Sequence, residues 1–391
     1  MYQSESIKKN SLHIYFFCVL ILPSPFLNYI GLTGMSESII ILILSSPFFF
    51  FLYKGKKWVI LSILLMLMIC SITAFYYKDI KLIIINFILI SYLVLHNILN
   101  HETLEDFVDL ASNFFLVMLI FCWVGLIYSL KGGLPTGTII NPDTRPNYWY
   151  LTTFSNVRFG KLIRPSGIYD EPGALSFFII SIVLLRLYLN KIDKKNILLL
   201  ILGCVTFSLA HLLFSVLIYF YIHKRISFKS KVLYDIVLII SIIIFFLVMF
   251  DAINALVLER LKFNSNTGRF VGDNRSIQLK AVFHFLSENG IFWGAYGYDN
   301  VFKEYGTIGE NPLTRLALDG LFVSLPYYFG VLIMSIAVFF SSKRMLIFVM
   351  ILLFLQRPYL SSIGYSAFFI LFFRIAINEL QNNKNMFFFV K

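Results

Sequence analysis

The stretch LASNFFLVMLIFCWVGLIYSL, residues 110–130, contains no charged side chain. Because an α-helix rises about 1.5 Å per residue, a helix over this stretch would be about 31 Å long. That length matches the hydrocarbon core of a bilayer, which is ~30 Å thick. The stretch therefore predicts a transmembrane helix.

The composition of the whole chain favours the same interpretation. Of 391 residues, 59% are hydrophobic and only 14% are charged, whereas a soluble domain carries about 25% charged residues. Apolar runs of transmembrane length recur at 12–30, 37–53, 58–77, 81–99, 110–130, 172–190, 232–252 and 313–340. We therefore expect an all-α fold, a polytopic helical integral membrane protein with one membrane domain over residues 1–391.

Two longer apolar stretches, 196–222 and 345–376, are each interpreted as a hairpin of two short helices. A single helix over 196–222 would carry the basic segment HKRISFKSK (223–231) to the outer side, against the rule that positive loops stay inside. A turn near TFSLAH (206–211) avoids this and places Thr206, Ser208 and His211 near a buried cavity. The second stretch breaks at QRPYLSS (356–362), because Pro358 disfavours a continuous helix.

These hairpins complete the predicted topology. Lys8 and Lys9 place the N-terminus in the cytoplasm by the same charge rule. The chain then has about twelve transmembrane helices, with both termini cytoplasmic. Two large loops, 131–171 and 253–312, lie on the outer face.

The formal charge of +12 resembles a nucleic-acid signal, but much of the excess lies in short loops, where it sets orientation. We expect no nucleic-acid partner. The four cysteines, at positions 18, 70, 122 and 204, all lie inside apolar runs without metal-ligand spacing. The sequence therefore predicts no metal site.

The first large loop contains RPNYWYLTTFSNVRFGKLIRPSGIYDEPG (145–173), which interleaves cations with aromatic residues. Aromatic faces stack on sugar rings, and arginine forks match phosphate oxygens. A sugar-phosphate ligand would satisfy both, and the candidate binding residues are Trp149, Arg158, Lys161, Arg164 and Tyr169. The alternative is an aromatic belt at the membrane interface with snorkelling cations.

The second large loop contains TGRFVGDNRSIQLKAVFHFLSENGIFWGAYGYDN (267–300). The segment SIQLKAVFHFLSENG predicts an amphipathic helix, with Asn274 or Ser276 as N-cap and Gly290 just past its end. His284 lies between Phe283 and Phe285 in this helix, so we expect it to be a packing residue.

The stretch RPSGIYDEPGALSFF resembles the R-x-S-G-x-F-x-E-P-x-x-x-A signature of the O-antigen polymerase (Wzy) family. That family shares a superfamily with the O-antigen ligases, which the chain resembles more distantly. The second loop, with its Gly-Arg pair, helix and glycine-rich turn, is also similar. So is the pattern of about twelve spans with two large outer loops, and the likeness covers most of the chain.

The resemblance implies a glycosyltransferase of the bacterial inner membrane that needs no metal or cofactor. Such an enzyme transfers a growing glycan from undecaprenyl pyrophosphate onto an undecaprenyl-pyrophosphate-linked repeat unit at the periplasmic face. Its partners are this lipid-linked oligosaccharide, membrane lipid, and the flippase and chain-length regulator of the same pathway. By motif, Arg164 and Arg269 would handle the pyrophosphates, and Glu171 is the acidic residue beside the span. Arg275, Arg315 and Arg357 complete the candidate substrate-binding residues.

One departure bears on the choice among functions. The ligases carry a His-Asn-like pair before the span that follows the second loop, but here the site reads GENPLTRLALDG (309–320). The missing histidine argues against a ligase and leaves the general base open to Glu310 or Glu171. A capsule or exopolysaccharide polymerase remains an alternative. A flippase or transporter is less favoured, because the charged motifs lie in outer loops and transport sites lie near the midplane.

Overall fold

The computed structural model describes residues 101–140, 145–225, 275–292, 312–358 and 363–382, with single residues and short pieces among 19–25, 68–75, 232–250, 262–270 and at 294. The predicted spans 37–53 and 81–99 lie outside the described residues. So do most of 12–30, 58–77 and 232–252, both termini, and Glu310. The chain divides into two compact units: Met1–Tyr221 with Phe329–Phe354 and Tyr359–Lys391, and Ile222–Tyr328 with Leu355–Pro358.

The described part of the chain is mostly helical. Its helices are α1 (His101–Leu130), α2 (Pro172–Tyr188), α3 (Lys194–Gly203), α4 (Leu209–His223), α5 (Arg275–Asn289), α6 (Pro312–Phe340), α7 (Arg344–Gln356) and α8 (Ile363–Asn382). Within the described residues, α1 is the one helix long and apolar enough by itself to cross a bilayer. Shorter apolar helices cover Pro172–Tyr188, Leu209–His223, Ser324–Phe340 and Arg344–Gln356. This is compatible with a membrane protein, and the number of spans stays a prediction.

Helix α2 forms the core of the first unit. Its sequence PGALSFFIISIVLLRLY is apolar on nearly every face, as a helix enclosed by protein requires. Nearly every side chain from Pro172 to Leu187 is buried. Phe177 and Phe178 contact aromatic rings of α7 and α8, namely Phe354, Tyr365 and Phe368.

The first large loop departs from the all-α expectation, because it folds into short antiparallel strands. Strands β1 (Gly137–Ile140), β2 (Pro146–Tyr150) and β3 (Thr153–Ser155) form a sheet in that order. Trp149 of β2 lies opposite Gly137 on one side and Phe154 on the other. Strands β4 (Arg158–Phe159) and β5 (Leu162–Ile163) form a second, tight hairpin.

Both predicted helix breaks are confirmed. Helix α3 ends at Gly203, a single 3-10 turn covers Cys204–Thr206, and Phe207 has a left-handed φ of 47° before α4 begins. The chain folds back on itself there, since His211 Nε2 lies 2.9 Å from the Leu200 carbonyl oxygen. Helix α7 ends at Gln356 and α8 begins at Ile363. The return of residues 223–231 to the cytoplasmic side stays a prediction.

The predicted span 313–340 is not one regular helix. Gly320 has non-helical angles (φ 73°, ψ 170°), so α6 kinks there. The Leu321 N–H donates to the Ile291 carbonyl at 2.8 Å, outside its own helix. Residues on the first turns of α6 pack on α5 in the second unit, where the apolar cluster is Ala281, Val282, Phe285, Leu286, Leu313 and Ala317.

The helix predicted in the second loop is confirmed as α5, with Gly290 directly after it at φ 73°. The packing role expected for His284 is wrong, because its side chain is 64% exposed. Its Nδ1 instead lies 3.5 Å from a carboxylate oxygen of Glu288, one turn later. Strands β6 (Phe263–Asn264) and β7 (Arg269–Phe270) pair antiparallel before this helix.

Candidate functional site

A buried arginine holds one end of the α1–α2 pair together. Arg186 Nε donates to Asn196 Oδ1 at 2.7 Å, Nη1 donates to Asp109 Oδ1 at 2.9 Å, and Nη2 donates to Asp193. Lys191 also donates to Asp109, at 2.8 Å. Burial acts to raise the pKa of the Asp109 carboxyl, but Lys191 and Arg186 outweigh burial, so this pKa lies below its usual value. Because these groups join the start of α1 to the end of α2, the first loop lies at the opposite end of the pair.

At that opposite end the first loop packs back along α1. Ser129 Oγ, next to the last residue of α1, donates to the Lys161 carbonyl at 2.8 Å. Farther along the same helix, a Cβ placed on Gly167 would lie 2.7 Å from Met118 Sδ. Ser129 and Met118 are therefore separated by about 16 Å along the axis of α1, because an α-helix rises about 1.5 Å per residue. The loop therefore descends by roughly this distance between Lys161 and Gly167.

The lowest part of the loop is a buried turn at residues 166–169, which we call the elbow. Ser166 N–H donates to the Phe154 carbonyl at 2.8 Å, and Phe154 N–H donates to the Gly167 carbonyl at 2.9 Å. Ser166 Oγ donates to the Tyr169 carbonyl at 2.7 Å. Gly167 has a left-handed φ of 64°, a conformation that a residue with a Cβ adopts only at a cost. The Ser-Gly pair of the signature, Ser166 and Gly167, therefore sets the backbone conformation of the elbow.

Tyr169 is a packing residue of the elbow, although the sequence predicts that it binds substrate. Its side chain is fully buried and its ring stacks on Phe178 with centroids 4.7 Å apart. Its hydroxyl donates to the Leu20 carbonyl at 2.9 Å, and Ser24 Oγ donates to the Ile168 carbonyl at 2.7 Å. Burial raises the pKa of the Tyr169 phenol well above its usual value, so the group stays a neutral donor.

Three predicted cations are brought together by the β4–β5 hairpin. Arg158 begins β4 and lies opposite Ile163, Lys161 occupies the turn, and Arg164 follows β5. The Arg164 N–H donates to the Val157 carbonyl at 3.3 Å, so this residue lies beside the start of β4. Arg158 and Lys161 are exposed, whereas Arg164 is half-buried directly above the elbow.

Glu171 lies on the other side of the elbow, at the N-cap position of α2. Its carbonyl accepts from Ala174 N–H at 3.0 Å, while its side chain makes no capping hydrogen bond. The carboxylate instead lies 3.8 Å from Arg145 Nη1, which comes from the residue before β2. The helix N-terminus and the nearby guanidinium both favour negative charge at this position. The elbow thus separates a cation, Arg164, from a paired carboxylate, Glu171.

The other predicted site residues belong to other elements. Arg269 is in β7, Arg275 begins α5 and Arg315 is in the first turns of α6, all in the second unit. Arg357 also belongs to that unit and is buried, directly after α7. Trp149 of β2 is exposed, and its ring lies 5.5 Å from that of Phe154. Among the described residues, no group of three or more His, Cys, Asp or Glu side chains is placed to hold a metal ion.

Sequence reasoning missed two residues that shape this site. Arg145 is a cation of the first loop outside the signature, and its pairing with Glu171 has no local signal in the sequence. Thr153 is buried between α1 and the elbow, where its Oγ1 accepts from the Gly167 N–H at 3.0 Å and lies 3.6 Å from Cys122 Sγ. Contacts between residues this far apart in sequence depend on the folded loop.

No protein-family model matches the chain, and comparison with curated proteins and with solved structures finds no match.

Proposed function

We propose that the protein is a polytopic membrane glycosyltransferase that polymerises lipid-linked oligosaccharide repeat units, as the O-antigen polymerases do. The resemblance of RPSGIYDEPGALSFF to their signature suggests it. The observation that carries the proposal is the fold of this stretch: a buried elbow with Arg164 two residues before it and Glu171 two residues after it. A cation and a carboxylate are the two groups that this transfer needs.

The depth of Arg164 supports a lipid-linked anion as the ligand. In the proposed topology α1 crosses the membrane over 110–130, both termini are cytoplasmic, and the loop 131–171 faces the periplasm. The descent from Lys161 to Gly167 then runs through the outer half of the bilayer, and Arg164 lies between these two levels. The pyrophosphate of a polyprenyl lipid lies at the edge of the hydrocarbon, at the upper end of this descent, where the long side chain of an arginine can extend to it. Arg145, Arg158 and Lys161 add positive charge that attracts it.

The proposed reaction breaks the bond between the anomeric carbon of the growing glycan and its undecaprenyl pyrophosphate. A new bond forms from that carbon to a hydroxyl oxygen of the repeat unit on a second lipid pyrophosphate. The hydroxyl proton passes to a carboxylate, for which Glu171 and Glu310 are the candidates. The departing pyrophosphate carries the negative charge away, and Arg164 stabilises that charge as it develops.

The remaining proposed residues lie outside the first loop. Arg269 would hold the other pyrophosphate, and Arg275, Arg315 and Arg357 would bind the lipid-linked glycan. The chemistry assigned to these side chains requires no metal or cofactor. A flippase that delivers repeat units and a regulator of chain length are the expected partners in the same inner membrane.

The test is a lipopolysaccharide gel of a strain that lacks the protein. Loss of an O-antigen polymerase leaves core carrying a single repeat unit, whereas loss of a ligase or a flippase leaves bare core. Loss of a capsule or exopolysaccharide polymerase leaves the lipopolysaccharide ladder intact and removes the other polymer. Core plus one repeat, restored to a ladder by the wild-type protein, is the expected result. Bare core, or an unchanged ladder together with unchanged capsule and exopolysaccharide, would contradict the proposal.

A further inference from the structure

The β2–β3 hairpin has an unusual tip for a loop expected to face water. From Pro146 to Val157 the sequence PNYWYLTTFSNV carries no charge, although Arg145 and Arg158 flank it. The two strands are joined by Leu151 and Thr152 alone, since Tyr150 pairs with Thr153. Two-residue hairpin turns in water favour Asn-Gly or Asp-Gly.

Leu151 is the residue that needs an explanation. Its φ is +57°, in the left-handed region that bulky side chains rarely adopt, and its side chain is 49% exposed. A strained backbone that persists at an exposed position points to a function. A leucine there costs both strain and, in water, the exposure of its apolar surface.

The tip does not project away from the protein but lies against the side of α1. Thr152 Oγ1 donates to the Phe121 carbonyl at 2.7 Å. The Tyr150 carbonyl oxygen lies 2.8 Å from where a Cβ on Gly125 would be, so only glycine lets the hairpin approach this closely. Phe121 is nine residues before Leu130, so the tip lies about 13 Å below the end of α1.

The neighbouring surface of α1 is apolar and exposed. Its exposed large side chains recur at helical spacing and form one stripe: Val117, Ile120, Phe121, Val124 and Ile127. Leu151 and Trp149 are also exposed, and they belong to the hairpin whose Thr152 bonds to Phe121 of this stripe. Hydrocarbon is the environment in which such a continuous apolar surface is stable.

Two polar side chains of the tip, those of Thr152 and Trp149, are bonded within the protein, which suits a hydrocarbon environment. Besides the Thr152 bond to α1, Trp149 Nε1 donates to the Leu151 carbonyl at 3.1 Å. Arg145 directly precedes β2 and Arg158 follows β3, so their backbone positions lie at the end of the strands away from the tip, and the Arg158 side chain interacts with Tyr150. The two turn residues, Leu151 and Thr152, are uncharged, and the cations enter the sequence at the base of the hairpin.

We propose that the tip of this hairpin is inserted among the acyl chains of the outer leaflet, with Trp149 and Leu151 in contact with lipid. The inference rests on the proposed membrane placement of α1. It assigns Trp149 to lipid contact in place of the sugar stacking predicted from the sequence. Phe154 and Ser155 of β3 bond to the elbow and to the Arg164 N–H, so the lipid-anchored hairpin also supports the position of Arg164.

The experiment is quenching of tryptophan fluorescence in the full-length protein. A variant that keeps Trp149 alone (Trp58→Phe, Trp123→Phe, Trp293→Phe) is reconstituted in phosphatidylcholine vesicles with or without bromine on the acyl chains. We expect a larger loss of emission from acyl-chain bromine than from aqueous iodide. The matched control keeps Trp123 alone; this residue is less exposed than Trp149 and donates to the Leu202 carbonyl at 3.2 Å, so acyl-chain bromine should quench it less.

A second variant tests the tip itself. Asparagine tolerates a left-handed φ better than leucine does, so Leu151→Asn would raise the melting temperature if the tip faced water. We expect instead that it weakens the bromine quenching of Trp149 without raising the melting temperature. If the protein floats with the vesicles but Trp149 is quenched only by iodide, the insertion of the hairpin is contradicted and the proposed function is not. Protein that does not float with the vesicles overturns both.

Discussion

Gly167 offers the sharpest structural prediction, because two independent effects oppose any side chain there. Its φ of 64° lies in the left-handed region, which costs a residue with a Cβ about 1–2 kcal/mol. An added Cβ would also lie 2.7 Å from Met118 Sδ and 3.0 Å from Met118 Cγ. Overpacking costs about 1–3 kcal/mol, and the flexible methionine keeps this term near its lower end, about 1 kcal/mol. We expect Gly167→Ala to lower the free energy of unfolding by about 2–3 kcal/mol.

Two other glycines separate these effects. Gly160 has a left-handed φ of 58° but open space around it, so Gly160→Ala should cost only the backbone term of about 1–2 kcal/mol. Gly137 has open space and no left-handed φ, so Gly137→Ala should change stability by less than about 0.5 kcal/mol. The assay is denaturant titration of the purified protein in mixed micelles, followed by helical circular dichroism. Equal effects of Gly167→Ala and Gly137→Ala would refute the buried elbow.

Three further predictions address the Arg186 network, the topology and the second loop. The pKa of the Asp109 carboxyl is lower in the folded protein than in the unfolded chain, where it is about 3.9. The ionised carboxylate therefore stabilises the fold above this unfolded pKa, and the stabilisation is lost as the pH falls through the folded pKa. Asp109→Asn should therefore flatten the loss of stability measured by acid titration below about pH 4, and an unchanged slope would contradict the Arg186 network. A reporter fused after Lys231 should behave as cytoplasmic, and alkaline phosphatase activity there would overturn the hairpin topology. His284→Gln should retain polymerisation at normal protein levels, because the imidazole is exposed and lies beside Glu288 of its own helix. Loss of polymer would make His284 a candidate base.

The helical parts of the fold could be predicted because their signals are local. The charge-free stretch 110–130 forms most of α1. The basic segment 223–231 indicated that the preceding apolar stretch is broken, and the break follows Gly203. Gly290 indicated the end of α5. Each of these depends on neighbouring residues and a known period or cap.

The strands and the elbow could not be predicted in the same way. The strands of the first loop are two to five residues long, and the turn at Leu151–Thr152 lacks the residues that normally mark a hairpin. The elbow depends on Gly167 meeting Met118 and on Tyr169 reaching Leu20, contacts between distant parts of the sequence. The signature quoted at residues 164–173 indicated where the site lies, but the burial of Tyr169 and the pairing of Glu171 with Arg145 required the folded loop.

The proposed polymerase activity is tested most directly with purified protein in proteoliposomes, supplied only with undecaprenyl-pyrophosphate-linked repeat units. The wild type should convert these into a ladder of longer lipid-linked glycans. Arg164→Ala should slow elongation by one to two decades, since a lost charge-assisted hydrogen bond costs about 1.5–3 kcal/mol. Arg164→Lys should recover only part of the rate, because a point charge cannot replace the bidentate fork. Lys131→Ala, which alters an exposed cation just after α1, is the matched control and should elongate normally. No ladder from the wild type, or a full-rate ladder from Arg164→Ala, would contradict this account.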